Sequence, residues 1–329
     1  MSGGIDRRSV VGGASAAAIM ALLRGAPAAA GVSRAPAALD TGGQRAFAAN
    51  QTITALVPDR LYRVGCAVRA ERLSWLPGDL DAWEPLNSYV LTDRDHCVFV
   101  DLGMPIARPA MESALETLVG DRKVWLHYTR NEYDCIGNMG LVLGTCRNPT
   151  LLFGSAGGIL EWINDPAVSI MEVRDFLGRI PIEEARNDSS RSLGDLRLNW
   201  LQGAVRQMLI TQWVYEETSG CLFTSDFFGF RHAQDAGASP VVDSARNLPS
   251  AEVVAREIVA RMNWMREARF PAVIERLESL FATHDVRMIA PVHGCVIRGR
   301  EAVAAHLKLA VKALRMAGAL PDEERMRYA

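Results

Sequence analysis

The sequence predicts an α/β protein built as a four-layer α/β/β/α sandwich, and three observations carry that expectation. Strand-like runs joined by short turns fill the start of the domain and then give way to strands alternating with helical stretches. The second half repeats the character of the first, which calls for two mainly β halves with helices outside. Three short polar stretches, Arg130 to Cys135, Leu222 to Gly229 and Ile289 to Gly294, each close an apolar strand-like run. Polar residues at strand ends are where layered α/β folds collect chemistry. A single doubly wound sheet is the alternative, and the hairpins count against it.

Leu61 to Val68, Leu86 to Leu91 and Cys97 to Gly103 read as strands, the latter two joined by the turn-rich Asp93-Arg94-Asp95. Ala110 to Val119 has helical spacing, and Lys123 to Tyr128 is the next strand. Met139 to Leu143 and Leu151 to Phe153 read as further strands between helical stretches, whereas Ile182 to Leu193 is a polar interval without a period. Strands resume over Leu196 to Leu201, Gln207 to Tyr215 and Gly220 to Thr224. Pro249-Ser250-Ala251-Glu252 opens a long helix with an acidic first turn, as the helix dipole favours. Phe270 to Thr283 is a second helix with Ile274, Leu277, Leu280 and Phe281 on one face, feeding a strand over Val286 to Ala290.

Asp6-Arg7-Arg8 ahead of an apolar run from Val10 to Leu23, then Ala28 to Ala30, has the plan of an export leader over residues 1–30. The paired arginines resemble a twin-arginine signal, which implies a periplasmic or otherwise exported protein. The run is shorter than the roughly 20 apolar residues that span a bilayer, so no membrane span is expected in the mature form. Residues 31–55 read as a flexible linker and 56–329 as the domain with a C-terminal helical tail. Without the leader, 33 basic face 37 acidic side chains, a formal charge near −4 with no basic cluster, so nucleic acid is not an expected partner. The expected partner is a small-molecule substrate, and a homo-oligomer is left open, the sequence giving no oligomeric state. Cys66, Cys97 and Cys221 lie in apolar strand-like runs and read as buried thiols, whereas Cys135 and Cys295 lie beside the polar stretches.

The order Pro85-Leu86-Asn87-Ser88-Tyr89, Val100-Asp101-Leu102-Gly103, Thr224-Ser225-Asp226-Phe227-Phe228-Gly229 and Ala290-Pro291-Val292-His293-Gly294 resembles the metallo-β-lactamase fold, and within it the diiron domain of flavodiiron proteins. That resemblance implies a first metal motif His-x-Glu-x-Asp-His, which falls on Arg130 to Cys135: Glu132 and Asp134 match, and Arg130 and Cys135 replace both histidines. A further histidine implied near Gln207 or Met208 is absent, while Asp226, implied as a bridging carboxylate, and His293, the last ligand, are intact. Asp101 is implied to be structural.

The remaining candidates are Glu132, Asp134, Cys135, Asp226 and His293, enough for one divalent ion, zinc or iron, and thin for two. Arg130 opens two designs. It can bind an anionic substrate beside a single ion, or it can pair with Glu132, Asp134 and Asp226 in a network that replaces the metal. The expected activity is a metal-dependent hydrolase with Glu132 or Asp134 as general base. The alternatives are a flavodiiron-like redox protein without its flavodoxin domain and a metal-free binding protein. His232 is the candidate substitute ligand or substrate contact, and Trp75, Trp83 and Tyr133 are candidates for the mouth of the pocket. His127 is expected on a sheet face, and His96 and His284 in solvent.

Overall fold

Side-chain alternation along the strands sets the layers. The computed structural model describes residues 48–147, 149–153, 180–206, 211–262, 265 and 270–319. The leader read at 1–30, the linker up to residue 47, and Gln207 and Met208 lie outside the described residues. One sheet holds, in spatial order, β1 (Ala48–Val57), β2 (Leu61–Arg69), β3 (Trp83–Thr92), β4 (His96–Val100), β5 (Lys123–His127), β6 (Thr150–Phe153) and β7 (Ile182–Glu184). It is antiparallel from β1 to β4 and parallel from β4 to β7. The second contains β8 (Ser189–Leu193), β9 (Leu196–Gln202), β10 (Gln212–Glu216), β11 (Cys221–Phe223), β12 (Val241–Val242), β13 (Met288–Ala290) and β14 (Val296–Arg298), ordered β12-β14-β13-β11-β10-β9-β8.

Val98 and Val100 of β4 join Leu198, Trp200, Val214, Phe223 and Met288 in the core between the sheets. Cys97 and Phe99, one residue out of phase, turn to the opposite face. There they meet α1 (Arg108–Ala114, continued as wider π turns over Leu115–Val119), α2 (Tyr133–Ile136) and α3 (Met139–Thr145). On the other side Trp213, Tyr215, Leu222, Ile289 and Ile297 pack beneath α4 (Ala251–Arg261), α5 (Phe270–Thr283) and α6 (Arg300–Ala319). The architecture is the four-layer α/β/β/α sandwich that the pattern predicts. Ser250 caps α4 by accepting from the Val253 amide at 3.3 Å, with Glu252 in the first turn. Among the described residues no helix is long and apolar enough to cross a membrane.

Four local readings are corrected. Met139 to Leu143 is helix α3, because Met139, Val142 and Leu143 are the buried positions and their spacing is helical. The interval Ile182 to Leu193 contains β7 and β8, edge strands too short and too polar to show a period. The linker read at 31–55 ends earlier, since β1 begins at Ala48 and pairs along β2. The two-residue β12 at Val241–Val242 has no counterpart in the pattern, being too short to show a period. All six cysteines are buried and free, including Cys135 and Cys295.

Candidate functional site

Three strand ends converge on one edge of the sandwich. The chain leaves β5 at His127 and turns through Thr129 to Glu132 into α2. Buried Asp101 holds this turn by accepting from the Thr129 amide at 2.7 Å and from the Thr129 hydroxyl at 3.0 and 3.1 Å. Burial pushes the Asp101 carboxyl up to about 7 even though those bonds and nearby Arg130 favour its charge. The loop after β11 reverses through left-handed Ser225 and Phe228 and places Asp226 inward. Asn87 and Tyr89 of β3 fix the loop after β13: the Asn87 amide donates to the Pro291 and Gly294 carbonyls at 2.8 and 2.7 Å, and the Tyr89 hydroxyl to the Pro291 carbonyl at 2.6 Å. Gly294 has φ +82, and a Cβ there would lie 2.5 Å from the Gly229 carbonyl oxygen, so the two loops close only around glycine.

These turns bring Arg130, Glu132, Asp134, Asp226 and His293 together. His293 Nε2 lies 2.6 Å from Asp134 Oδ2 and 3.3 Å from Asp226 Oδ1. The Arg130 guanidinium, 2 % exposed, is shared by three carboxylates: Nε donates to Glu132, Nη2 to Asp134, and Nη1 lies 2.8 Å from Asp226 Oδ1. Nη1 also donates to the Ser225 hydroxyl at 2.8 Å. Burial disfavours the guanidinium's charge, but Asp134, Asp226 and Glu132 outweigh it and hold Arg130 well above its ordinary value. Burial likewise works against the Asp134 carboxylate, and Arg130 and His293 overcome it, holding Asp134 well below the usual range. A cavity of about 530 Å³ opens here, lined by this cluster with Trp75, Met104, Asn131, Tyr133 and Arg261. The Trp75 ring sits 5.1 Å from the His293 ring.

A second charged cluster lies behind the first. His232 Nδ1 meets Glu84 Oε2, and its Nε2 lies 2.8 Å from Glu257 Oε2. Arg261 Nη2 donates to Glu84 Oε1 at 2.8 Å, and His293 Nδ1 stands 4.0 Å from that same oxygen. All four side chains are nearly fully buried. Burial works against both charges, yet the pairing lifts His232 to about 10 and lowers Glu84 to about 2. Glu84, Glu257 and Arg261 are site residues that the motif search passed over. Their signal was a carboxylate inside the β3 pattern, and Glu257 and Arg261 four apart among the buried positions of α4.

Two of the sequence candidates lie elsewhere. Cys135 follows Asp134 by about 100° of helical turn, so it points into the core while Asp134 meets the cluster. Its sulfur lies 3.8 Å from the Thr129 hydroxyl, and burial pushes its thiol well above the ordinary value. His232 is not among the residues lining the cavity; both its ring nitrogens meet buried carboxylates, Glu84 and Glu257, next to the bridge between Trp83 and Ala233. Arg130 is not turned outward. Trp75 and Tyr133 line the cavity, and Trp83 packs under Arg69 instead. His127 is buried, with Nδ1 3.2 Å from the Leu152 carbonyl oxygen. His96 and His284 are half-buried against Asp93 and Tyr215.

The donor set does not fit a two-ion centre. Ligand atoms of Asp134, Asp226 and His293 lie within 4.8 Å of one another, and no other His, Cys, Asp or Glu among the described residues joins them. The Glu132 carboxylate is turned to Arg130, and the permanent charge of Arg130 occupies the ground between the acids.

No family model matches the chain, and no curated protein matches it by sequence. Solved structures do. Rubredoxin oxygen:oxidoreductase from Desulfovibrio gigas superposes with a TM-score of 0.59 at 14% identity, over 80% of this chain and 62% of that one. The flavodiiron protein from Giardia intestinalis gives 0.57 at 15%, over 80% and 59%. A fragment, residues 1–254, of a diflavin flavoprotein from Nostoc sp. PCC 7120 gives 0.55 at 14%, over 82% and 98%. The chain has the metallo-β-lactamase-like fold of flavodiiron cores. It spans about three fifths of the length of the first two proteins, and at this identity the likeness is one of fold.

Proposed function

We propose that this protein binds a small molecule in the cavity at the sheet edge and holds no resident metal, with the Arg130 guanidinium supplying the positive charge that the three carboxylates require. One observation carries the reading: Arg130 is in contact with Glu132, Asp134 and Asp226 at once, so a charge of the chain's own stands where a cation among the acids would sit. A guanidinium suits that task because its planar fork offers several donors in fixed directions. The metal-dependent hydrolase expected from the sequence becomes the second reading. It is favoured by the approach of Asp134, Asp226 and His293 to within 4.8 Å. A flavodiiron-like redox centre is supported least, since the neighbours named for a di-iron site share only the fold with this chain and the two-ion donor set is incomplete.

Elemental analysis of protein purified without a polyhistidine tag separates these readings. The expected content is below about a tenth of an ion per chain, with no loss of thermal stability on adding a chelator. Zinc or iron at one ion per chain, lost in both Asp226→Ala and His293→Ala, would establish the second reading instead.

A further inference from the structure

A second, much smaller cavity lies behind the first and shares Asp226 and Arg261 with it. We propose that this inner cavity is a binding site for one water molecule, which closes the buried ring of charge formed by Glu84, His232, Glu257 and Arg261. Three of the ring's four links are direct. Glu84 Oε2 meets His232 Nδ1, His232 Nε2 lies 2.8 Å from Glu257 Oε2, and Arg261 Nη2 donates to Glu84 Oε1 at 2.8 Å. The fourth link joins Glu257 Oε1 to Arg261 Nη1, and both of these buried atoms are without a hydrogen-bond partner among the described residues. A carboxylate oxygen and a guanidinium N–H left so are costly, because each has given up its hydration for nothing.

Room exists where that link is needed. The inner cavity, about 10 Å³, is lined by both Glu257 and Arg261. Its size is at the lower end of the roughly 10–15 Å³ that one water requires, and too small for an organic group. Phe227, Phe228, Phe230, Ile258 and Met262 form apolar, buried walls, so they offer no competing side-chain partner. Gly229 borders the same space. The point where a Cβ would stand on it lies 3.0 Å from Arg261 Nη1, 2.7 Å from the His293 carbonyl oxygen and 3.1 Å from the Asp226 carbonyl oxygen. A water beside Gly229 accepts from Arg261 Nη1 and donates to Glu257 Oε1 and to one of those carbonyls, the three partners usual for a buried water. An ion suits the place less well: the guanidinium repels a cation, and the Glu257 carboxylate repels an anion. Arg261 also lines the larger cavity, so the water fixes a guanidinium on that wall whatever the larger cavity binds.

The test is a crystal structure of the tag-free protein at about 1.5 Å resolution, which should show one density peak within about 3.2 Å of both Arg261 Nη1 and Glu257 Oε1. No peak there, or direct contact between the two atoms, overturns the proposal. Crystals grown in sodium bromide decide the ligand class: no anomalous signal is expected at the peak, and bromide in the site would make it an anion site and overturn the assignment to water. Glu257→Leu removes the acceptor and should abolish the peak. Because that change also takes a partner from His232, Glu257→Gln is the companion, since its amide still offers a hydrogen-bonding group to the cavity and should keep the peak. In solution, oxygen-17 magnetic relaxation dispersion should count one long-lived water fewer in Glu257→Leu than in wild type and the same number in Glu257→Gln. Equal counts in wild type and Glu257→Leu overturn the proposal as well.

Discussion

Replacing Arg130 with alanine should remove the charge that lets three acids share one buried site. The guanidinium is 2 % exposed and contacts Glu132, Asp134 and Asp226, the last two being 12 % and 4 % exposed. Hydrogen bonds to charged groups contribute roughly 1.5–3 kcal/mol each, so the gross interaction is about 4.5–9 kcal/mol. Desolvation of the guanidinium offsets part of that, and breaking a buried ion pair by removing one partner costs about 3–5 kcal/mol. The expected loss at pH 7 is therefore about 4 kcal/mol, measured as a fall in urea midpoint at unchanged slope. Arg130→Lys, which keeps the charge and loses the fork, should lose about half as much.

The pH dependence adds a second check on the same variant. Asp134 is depressed in the folded protein, so its contribution is fully present above the unfolded carboxylate range and is lost as pH falls below that range through the lower folded value. In Arg130→Ala the part of that contribution due to Arg130 is missing and the part due to His293 remains, so the gap between wild type and variant should narrow below about pH 4. Zinc chloride at about 100 times its dissociation constant should restore about 2.7 kcal/mol to Arg130→Ala and nothing to wild type, since only the variant has room for the ion. A loss below about 1 kcal/mol, or wild-type stability that depends on added zinc, would refute the view that Arg130 stands in for metal charge.

Two further outcomes follow from the packing. His232 is raised to about 10, so its pairing with Glu84 and Glu257 stabilises the fold fully below about pH 6.5 and is lost as pH climbs through about 10. Chemical denaturation between pH 7 and 10.5 should show that decline, and His232→Gln should flatten it while lowering stability at pH 7. Gly294→Ala forces a Cβ to 2.5 Å from the Gly229 carbonyl oxygen at a φ of +82, so a loss of at least about 2 kcal/mol is expected in thermal unfolding, and a neutral result would contradict the loop contact.

Most of the fold was legible because its elements are long enough to carry a period. Phe270–Thr283 and Leu61–Arg69 fall within a residue of their reading, since burial on one helical face or in a sheet leaves a pattern that a single sequence displays. The failures share one physical cause. β7 and β8 are short edge strands made mostly of charged and hydroxyl residues, and α3 is a two-turn helix whose buried positions are too few to separate helix from strand. None of these depends on local propensity; each is fixed by what packs against it.

The site was legible in its acids and not in its geometry. Glu132, Asp134, Asp226 and His293 meet as the motif order implied, because strand ends on one edge are brought together by topology rather than by local structure. Which way Arg130 turned could not be read, since an arginine beside carboxylates suits an outward substrate contact as well as an inward pair; the decision lies in Ser225 and Asp226, 95 and 96 positions later. His232 shows the same limit from the other side. Its partners Glu84 and Glu257 lie 148 and 25 positions away, so a histidine that looked available in the sequence is committed on both ring nitrogens in the fold. The two cases are linked: Glu84 binds His232 and Arg261 and stands 4.0 Å from His293, so the charge behind the cavity is set by the same strand that fixes the His293 loop. The balance of charge in the cavity is therefore a property of both clusters together. Substitutions at Glu84 should alter ligand affinity although Glu84 is absent from the cavity wall.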